Sequence, residues 1–183
     1  MGDLKNLSVE GTVILVTGGT SGIGKVVTST LCAQGASVVF TGRNETAGET
    51  ILTDLRNVGH DCHFVPADLR DQEGITKVVD TCLSIFGRLD VAFNNARQAA
   101  LQYANAGIRI NSISPGPTFT ETHQSLADKG PDAVADHLGT LNPRAQFISP
   151  DQIADVVLFL ARSAPDMLTG QDIAIDGGQL YKL

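Results

Sequence analysis

The chain has 183 residues, of which 42% are apolar and 18% are charged, a balance typical of a globular protein with its own core. Its 13 basic and 20 acidic residues give a net charge of −7, the wrong sign for binding a phosphate backbone, so we expect no nucleic acid partner. The longest apolar run, residues 156–161, is far shorter than the roughly 20 residues that cross a bilayer, so we expect no membrane span.

The N-terminal segment and the cysteines indicate the compartment. Residues 1–10 mix charges with isolated leucines and contain no apolar stretch of a secretory signal. The three cysteines, Cys32, Cys62 and Cys82, are odd in number and far apart, which favours reduced thiols over a disulfide framework. We therefore predict a cytoplasmic protein.

In the first half of the chain, short apolar runs alternate with helical patterns, as in a parallel sheet covered by helices. The predicted strands are 13–16, 37–40, 62–65 and 89–93, and the predicted helices are 22–34, 44–58 and 71–87. In the third helix, residues at helical spacing should form a buried stripe. They are Ile75, Val78, Val79, Cys82 and Phe86.

The second half predicts a strand at 108–113, a mobile lid or loop region with a short helix over 118–147, and a last strand at 172–175. Ser149 with Gln152 forms a capping box that begins a further helix. Together the elements predict an α/β fold with a doubly wound parallel sheet, Rossmann-like, of about six strands. Residues 1–183 should form one domain.

A glycine-rich turn joins the first predicted strand to the first helix. Gly18, Gly22 and Gly24 lie in this turn, where missing Cβ atoms let a pyrophosphate approach the helix N-terminus. The alternative is a tight turn without a ligand. The strand–turn–helix context favours the nucleotide site.

The spacing Gly-x-x-x-Gly-x-Gly resembles the glycine motif of the short-chain dehydrogenase/reductase family. Three further segments resemble family motifs in the family order: Asp68-Leu69, Asn94-Asn95-Ala96 and Pro115-Gly116-Pro117-Thr118. The resemblance covers Leu7 to Gly178 and implies an oxidoreductase that uses a nicotinamide dinucleotide. The predicted cofactor contacts are Gly18, Thr20, Ser21, Gly22, Ile23, Gly24, Arg43, Asp68, Leu69, Asn94, Ala96, Pro115, Gly116 and Thr118.

The end of the second strand bears on the choice of cofactor. An acidic residue there would bind the adenosine ribose, but the chain has Gly42 and Arg43. Arg43 can pair with a 2′-phosphate, which predicts NADP; NAD remains the alternative, with Arg43 stacked on adenine. Asp68, which the resemblance assigns to adenine, has an alternative role as a cap of the following helix.

The family resemblance implies hydride transfer between the nicotinamide and a carbonyl or alcohol, with a tyrosine acid/base, a lysine four residues later and a serine. Tyr103 is followed four residues later by Gly107, and Tyr181 lies near the C-terminus. No lysine occurs between Lys77 and Lys129. We therefore assign no catalytic residue and expect this chain to be inactive.

The sequence shows where the segment expected from the family resemblance is absent. Arg97 follows Ala96 directly, where the family has a helix, a strand with the serine and the start of the tyrosine helix, about sixty residues in all. Two interpretations stay open: a shortened relative of an active enzyme, and a non-catalytic dinucleotide-binding module. A small-molecule substrate is implied, but its identity is left open.

The remaining polar clusters have simpler interpretations. The segment His60 to His63 leads into a strand, where neighbouring side chains point to opposite faces, so we predict no metal site. His123 and His137 are expected as solvated loop histidines, with contact to substrate as the alternative. Asp71, Glu73 and Asp151 fit helix first turns, where the helix dipole favours carboxylates.

The resemblance also implies a homo-oligomer. The usual family contact through the helices beside the fifth strand should be weakened by the missing segment. Ile173, Ile175 and residues 158–160 remain for the other common contact, which favours a dimer over a tetramer.

Overall fold

The computed structural model describes residues 9–93, 109, 111–165 and 167–181. These residues form two compact units. The first contains the described residues up to Phe93 together with Ala154–Ser163, and the second contains Arg109, residues 111–153 and the chain from Ala164 onward. That the whole chain acts as one domain stays a prediction.

The first unit alternates strands and helices. Its strands are β1 (Val13–Thr17), β2 (Ser37–Gly42), β3 (Cys62–Pro66) and β4 (Val91–Phe93), and its helices are α1 (Gly22–Ala33), α2 (Glu45–Asn57) and α3 (Gln72–Phe86). The strands form one parallel sheet in the order β3-β2-β1-β4. The strand order places β1 between β2 and β4, as a doubly wound sheet requires.

Both faces of this sheet are covered, because alternate residues of a strand point to opposite sides. On one side Leu15, Val39 and Val65 cluster with Val78 and Cys82 of α3. On the other side the rings of Phe40 and Phe64 lie 5.2 Å apart, and Gly48 of α2 lies against the Phe64 ring. Burial on both faces explains why the strands appear in the sequence as continuous apolar runs.

Two details differ from the sequence-based expectation. Ile75, predicted in the buried stripe of α3, is 41% exposed, so the buried part of that stripe is centred on Val78 and Cys82. β4 begins at Val91 instead of residue 89. The residue before it, Asp90, is held to β1 by its own contacts: its N–H donates to the Val13 carbonyl and its carboxylate accepts from the Val13 N–H, both at 2.9 Å.

The second unit has a parallel pair of strands, β5 (Ser112–Pro115) and β6 (Asp172–Ile175). β6 matches its predicted bounds, whereas β5 begins later than the predicted strand at 108–113, of which residues 108 and 110 lie outside the described part. The region predicted as a lid or loop with one short helix contains a 3-10 turn (Glu121–His123) and two helices, α4 (Gln124–Ala127) and α5 (Pro131–Gly139). Pro131 at the first position of α5 fits a helix start.

Helix α6 (Pro150–Leu158) begins in the second unit and ends in the first, and a π-type turn (Phe159–Ser163) follows it. The predicted capping box is confirmed: the Asp151 N–H donates to Ser149 Oγ at 3.1 Å, and the Ser149 N–H donates to Gln152 Oε1 at 2.9 Å. Within the described residues no helix is long and apolar enough to span a membrane.

The fold class is the predicted one, an α/β fold with parallel strands and alternating helices. The described residues contain six strands, but they are divided between a sheet of four and a sheet of two. The sequence pattern identifies individual strands but does not determine that division.

Candidate functional site

A cleft of about 510 Å³ lies where the first three strands of the first unit end. Because the carboxyl ends of parallel strands meet at one edge of a sheet, the residues that follow β1, β2 and β3 come together there. The lining residues are Thr17, Gly18, Thr20, Ser21, Thr41, Gly42, Arg43, Ala67, Asp68, Leu69 and Arg70. Ligands of open α/β sheets bind at this edge.

In the glycine turn at one end of the cleft, the backbone of α1 lies close to the backbone that follows β1. Gly18 has φ +67°, and a Cβ added there would meet nothing within 4 Å. A Cβ on Gly24 would lie 2.2 Å from the Gly18 carbonyl oxygen, so only glycine permits this packing of α1 on the turn. The neighbouring Gly19 N–H donates to the Thr41 carbonyl at 2.9 Å, which fixes the turn to β2.

The N-terminus of α1 is open to an anion. Ser21 is the N-cap, but its side chain makes no capping hydrogen bond, and no acidic residue lies in the first turn. The first N–H groups of a helix lack partners within the helix and carry the positive end of its dipole. This arrangement fits a pyrophosphate, and no side chain of the first turn competes for the same N–H groups.

Two buried hydroxyl groups of the first unit lack hydrogen-bond partners within the described part of the chain. They are the Oγ1 atoms of Thr28 and Thr41. Thr41 belongs to the cleft lining. An unsatisfied buried hydroxyl is costly, roughly 1–3 kcal/mol, so the cleft has unused hydrogen-bonding capacity at Thr41.

Three charged side chains stand at the other end of the cleft. The Asp68 carboxylate accepts hydrogen bonds from Arg70 Nε, at 3.0 Å to each oxygen, and also from Arg70 Nη2. Hydrogen bonds from the Arg70 guanidinium and from its backbone N–H, with a smaller contribution from the charges of Arg70 and Arg43, lower the pKa of Asp68 to about 2. Asp68 is thus ionised throughout the neutral range, between two arginines.

The structure brings part of the predicted cofactor set together. Six of the predicted residues line the cleft: Gly18, Thr20, Ser21, Arg43, Asp68 and Leu69. Gly22, Ile23 and Gly24 form the first turn of α1 directly after it. Asn94 and Ala96 lie outside the described residues. Arg70 was not among the predicted residues, although its position two residues after Asp68 could have indicated it.

Pro115, Gly116 and Thr118 belong to the second unit, where they form an ordered turn after β5. The Gly116 N–H donates to the Ile175 carbonyl at 2.8 Å, and Thr118 Oγ1 donates to the Gly116 carbonyl at 3.0 Å. A Cβ on Gly116 would lie 2.8 Å from Asp176 Cα, which explains the glycine there.

The histidines separate into two environments. His137 is exposed in the last turn of α5, whereas His123 is half-buried, with its ring centroid 4.9 Å from that of Phe147 and Nδ1 3.1 Å from Thr120 Oγ1. The expectation of a solvated loop histidine is therefore wrong for His123, because the aromatic side chains of the 118–147 region pack together. In the described chain no group of histidines, cysteines and carboxylates could hold a metal ion.

The residues that bear on catalysis are mostly outside the described part. Tyr103, Gly107 and the junction of Ala96 with Arg97 all lie there. Tyr181 ends a 3-10 turn (Gln179–Tyr181) near the C-terminus.

The fold and the cleft define a Rossmann-like α/β protein with its ligand site at the carboxyl edge of the sheet. Comparison with family models gives two adjoining matches: "short chain dehydrogenase" over residues 12–97 and "Enoyl-(Acyl carrier protein) reductase" over residues 95–179. The chain belongs to the short-chain dehydrogenase/reductase family, whose members are oxidoreductases that use a nicotinamide dinucleotide.

Individual relatives are distant in sequence but similar along their length. The chain is 22% identical over 252 residues to (+)-cis,trans-nepetalactol synthase from Nepeta racemosa, covering 94% of this chain and 92% of that one. L-sorbose reductase from Gluconobacter frateurii, solved with NADPH and L-sorbose, is similar with a TM-score of 0.86 and 19% identity, covering 97% and 100% of the two chains. A 7α-hydroxysteroid dehydrogenase solved with NADH has a TM-score of 0.84 and 20% identity, with both chains fully covered.

The comparisons also bear on the length of the chain. An alignment of 252 positions to a chain of 183 residues must contain gaps in this chain. The two family models overlap at residues 95–97, which include the junction of Ala96 and Arg97.

Proposed function

We propose that this chain is a binding protein for NADP(H) that performs no hydride transfer of its own. The observation that carries the proposal is the cleft of the first unit, with a glycine turn and an open helix N-terminus at one end and arginines at the other. The glycine cradle and the unused hydrogen-bonding capacity at Thr41 fit a dinucleotide.

Each end of the cleft has a role in this proposal. The N–H groups of the first turn of α1 bind the pyrophosphate, because Ser21 leaves them uncapped. Arg43 follows β2 and binds the adenosine 2′-phosphate, since Gly42 offers no carboxylate to repel it. Asp68 is ionised, and when Arg70 turns Nη2 away from Oδ2, that oxygen can accept a hydrogen bond from the adenine amino group.

The bound nicotinamide would supply or accept a hydride, but the chain lacks the tyrosine and lysine pair that would donate or accept the accompanying proton. A tyrosine acid needs a cation nearby to lower its pKa, and neither Tyr103 nor Tyr181 has a lysine four residues later. We therefore expect binding without turnover.

The second candidate is a shortened but active enzyme. It is supported by relatives that align along nearly their whole length, among them 2,5-dichloro-2,5-cyclohexadiene-1,4-diol dehydrogenase of Sphingobium indicum, of which 97% is covered. In that case another group must donate the proton. Relatives and neighbours with such different named substrates leave the substrate of this chain open.

A fluorescence titration with NADPH and NADH tests the cofactor assignment. We expect NADPH to bind at least about tenfold more tightly, as one charge-assisted arginine contact allows, and Arg43→Ala to reduce the difference. Arg144→Ala, which removes an exposed arginine of the second unit, is the matched control and should change neither affinity. Equal affinities in the parent protein, with no effect of Arg43→Ala, would refute the NADP assignment.

We further propose a cytoplasmic dimer. Cys32, Cys62 and Cys82 all carry free thiols, which suits a reducing compartment. Of the residues expected at the contact, Leu158 is buried within the chain, whereas Ile173 and Ile175 are half-buried. Light scattering should give the mass of two chains, and a tetramer would contradict the assignment.

A further inference from the structure

Arg70 has a second role available to it beyond its ion pair with Asp68. Both residues lie just after β3, and Arg43 lies just after β2. The two strands are parallel neighbours, with Gly42 opposite Pro66, so the two arginines reach the same end of the cleft from adjacent strands.

Arg70 occupies nearly the whole acceptor capacity of Asp68. Oδ1 accepts from the Arg70 backbone N–H at 3.1 Å and from Nε at 3.0 Å, while Oδ2 accepts from Nε at 3.0 Å and from Nη2. A carboxylate has about four acceptor positions. The contacts given for Arg70 use only Nε and Nη2, so Nη1 has no hydrogen-bond partner among the described residues.

The charges at this end of the cleft favour an anion. Two guanidinium groups and one carboxylate leave a net positive charge there, in a chain whose net charge is −7. Arg70 is also accessible, since 78% of its side chain is exposed against 28% for Asp68. An exposed ion pair of this kind contributes little to stability, so Arg70 can change partner at low cost.

We propose that Arg70 is a second specificity-determining residue for the 2′-phosphate, acting with Arg43 as a two-arginine site that Asp68 holds ready in the free protein. The inference rests on the proposed binding of NADP(H). A phosphate monoester carries between one and two negative charges near pH 7, more than one arginine neutralises. The planar guanidinium can bind phosphate oxygens through Nη1 and Nη2 while Nε stays on Asp68.

Isothermal titration with 2′,5′-ADP and 5′-AMP tests this assignment without any enzymatic assay, because the two probes differ only in the 2′-phosphate. We expect Arg70→Gln to weaken the binding of 2′,5′-ADP about tenfold, the effect of one charge-assisted contact, and to change the affinity for 5′-AMP less than about twofold. Arg70→Lys should weaken the binding of 2′,5′-ADP less than Arg70→Gln does, since lysine keeps the positive charge but lacks the paired N–H donors of the guanidinium.

Arg88→Gln is the matched control. Arg88 pairs with Asp90 at the same two-residue spacing, through Nε at 2.9 Å and Nη2 at 2.6 Å to Oδ1, and does not line the cleft. It should change neither affinity. An equal loss for both probes on Arg70→Gln would mean that Arg70 acts only through Asp68 on adenine, and no loss or a gain would mean that it does not bind the phosphate. Each result overturns the inference.

The outcome also separates this inference from the function on which it rests. If the parent protein binds 2′,5′-ADP more tightly than 5′-AMP and Arg43→Gln reduces that preference, NADP recognition stands whatever Arg70→Gln shows. If the parent protein binds neither probe, both the proposed function and the role of Arg70 fail.

Discussion

A Cβ atom on Gly24 would lie 2.2 Å from the carbonyl oxygen of Gly18. Gly18 directly follows β1 at the start of the turn, and Gly24 lies in the first turn of α1. The obstacle is backbone, which cannot move aside as a flexible side chain can. The third glycine of the motif is therefore required for packing within the turn, whether or not a ligand is bound.

Gly24→Ala should unfold the turn or displace α1. We expect a loss of at least about 2 kcal/mol in the free energy of unfolding, at the upper part of the range for overpacking, and loss of NADPH binding. Urea denaturation and the fluorescence titration measure the two effects. Lys25→Ala, one residue further and exposed, is the control; an unchanged stability of Gly24→Ala would contradict the packing described here.

A second glycine tests the packing of α2 on the sheet without touching the cleft. A Cβ on Gly48 of α2 would lie 2.2 Å from Cζ of Phe64 on β3. Gly48→Ala should lower the free energy of unfolding by about 1–3 kcal/mol. Because the obstacle is a side chain, adding Phe64→Leu should cost less than the sum of the two single changes.

Additive effects in this double-mutant cycle would show that the helix and the ring do not meet. NADPH affinity serves as the internal control, since neither residue lines the cleft. It should be unchanged in every variant that folds.

Asp90 predicts a pH dependence of stability. Hydrogen bonds from Arg88 hold the pKa of Asp90 below its ordinary value, helped by the Val13 N–H. A carboxyl whose pKa is lower in the folded state stabilises the protein above the unfolded pKa, about 3.9, and loses that contribution as the pH falls through the folded value.

Asp90→Asn should therefore be less stable than the parent protein at pH 7, by about 1 kcal/mol. The difference should shrink as the pH falls below about 4. Denaturation curves at several pH values measure it, with the exposed Asp80→Asn as control. A difference that grows toward low pH would contradict the assigned sign.

Much of the first unit could be predicted from sequence because its signals are local. β1 is a continuous apolar run, since it is buried on both faces, and Gly87 ends α3 in the left-handed conformation with φ +70°. The capping box at Ser149 is likewise local, because its bonds join residues two or three positions apart.

The structure differs from the sequence-based prediction where tertiary contacts determine which side chains are buried. Helical spacing alone places Ile75 and Val78 on the same face of α3, yet only Val78 is buried. The periodicity of a helix identifies its apolar face but not which part of that face another element covers. Arg70 was missed for a similar reason: its place in the cleft depends on where the chain turns after β3. The half-buried state of His123 depends on Phe147, distant in sequence.

Binding of NADPH and hydride transfer from it can be measured in one experiment. Protein whose intact mass is confirmed as 19.2 kDa is saturated with NADPH and mixed with a panel of steroid, sugar, acyl and cyclic carbonyl compounds, while the absorbance of reduced nicotinamide is followed. We expect saturable NADPH binding and no loss of absorbance beyond that of the buffer. Turnover with any carbonyl compound would contradict the expectation that the chain is inactive without the tyrosine and lysine. Failure to bind NADPH would contradict the assignment of the cleft as a dinucleotide site.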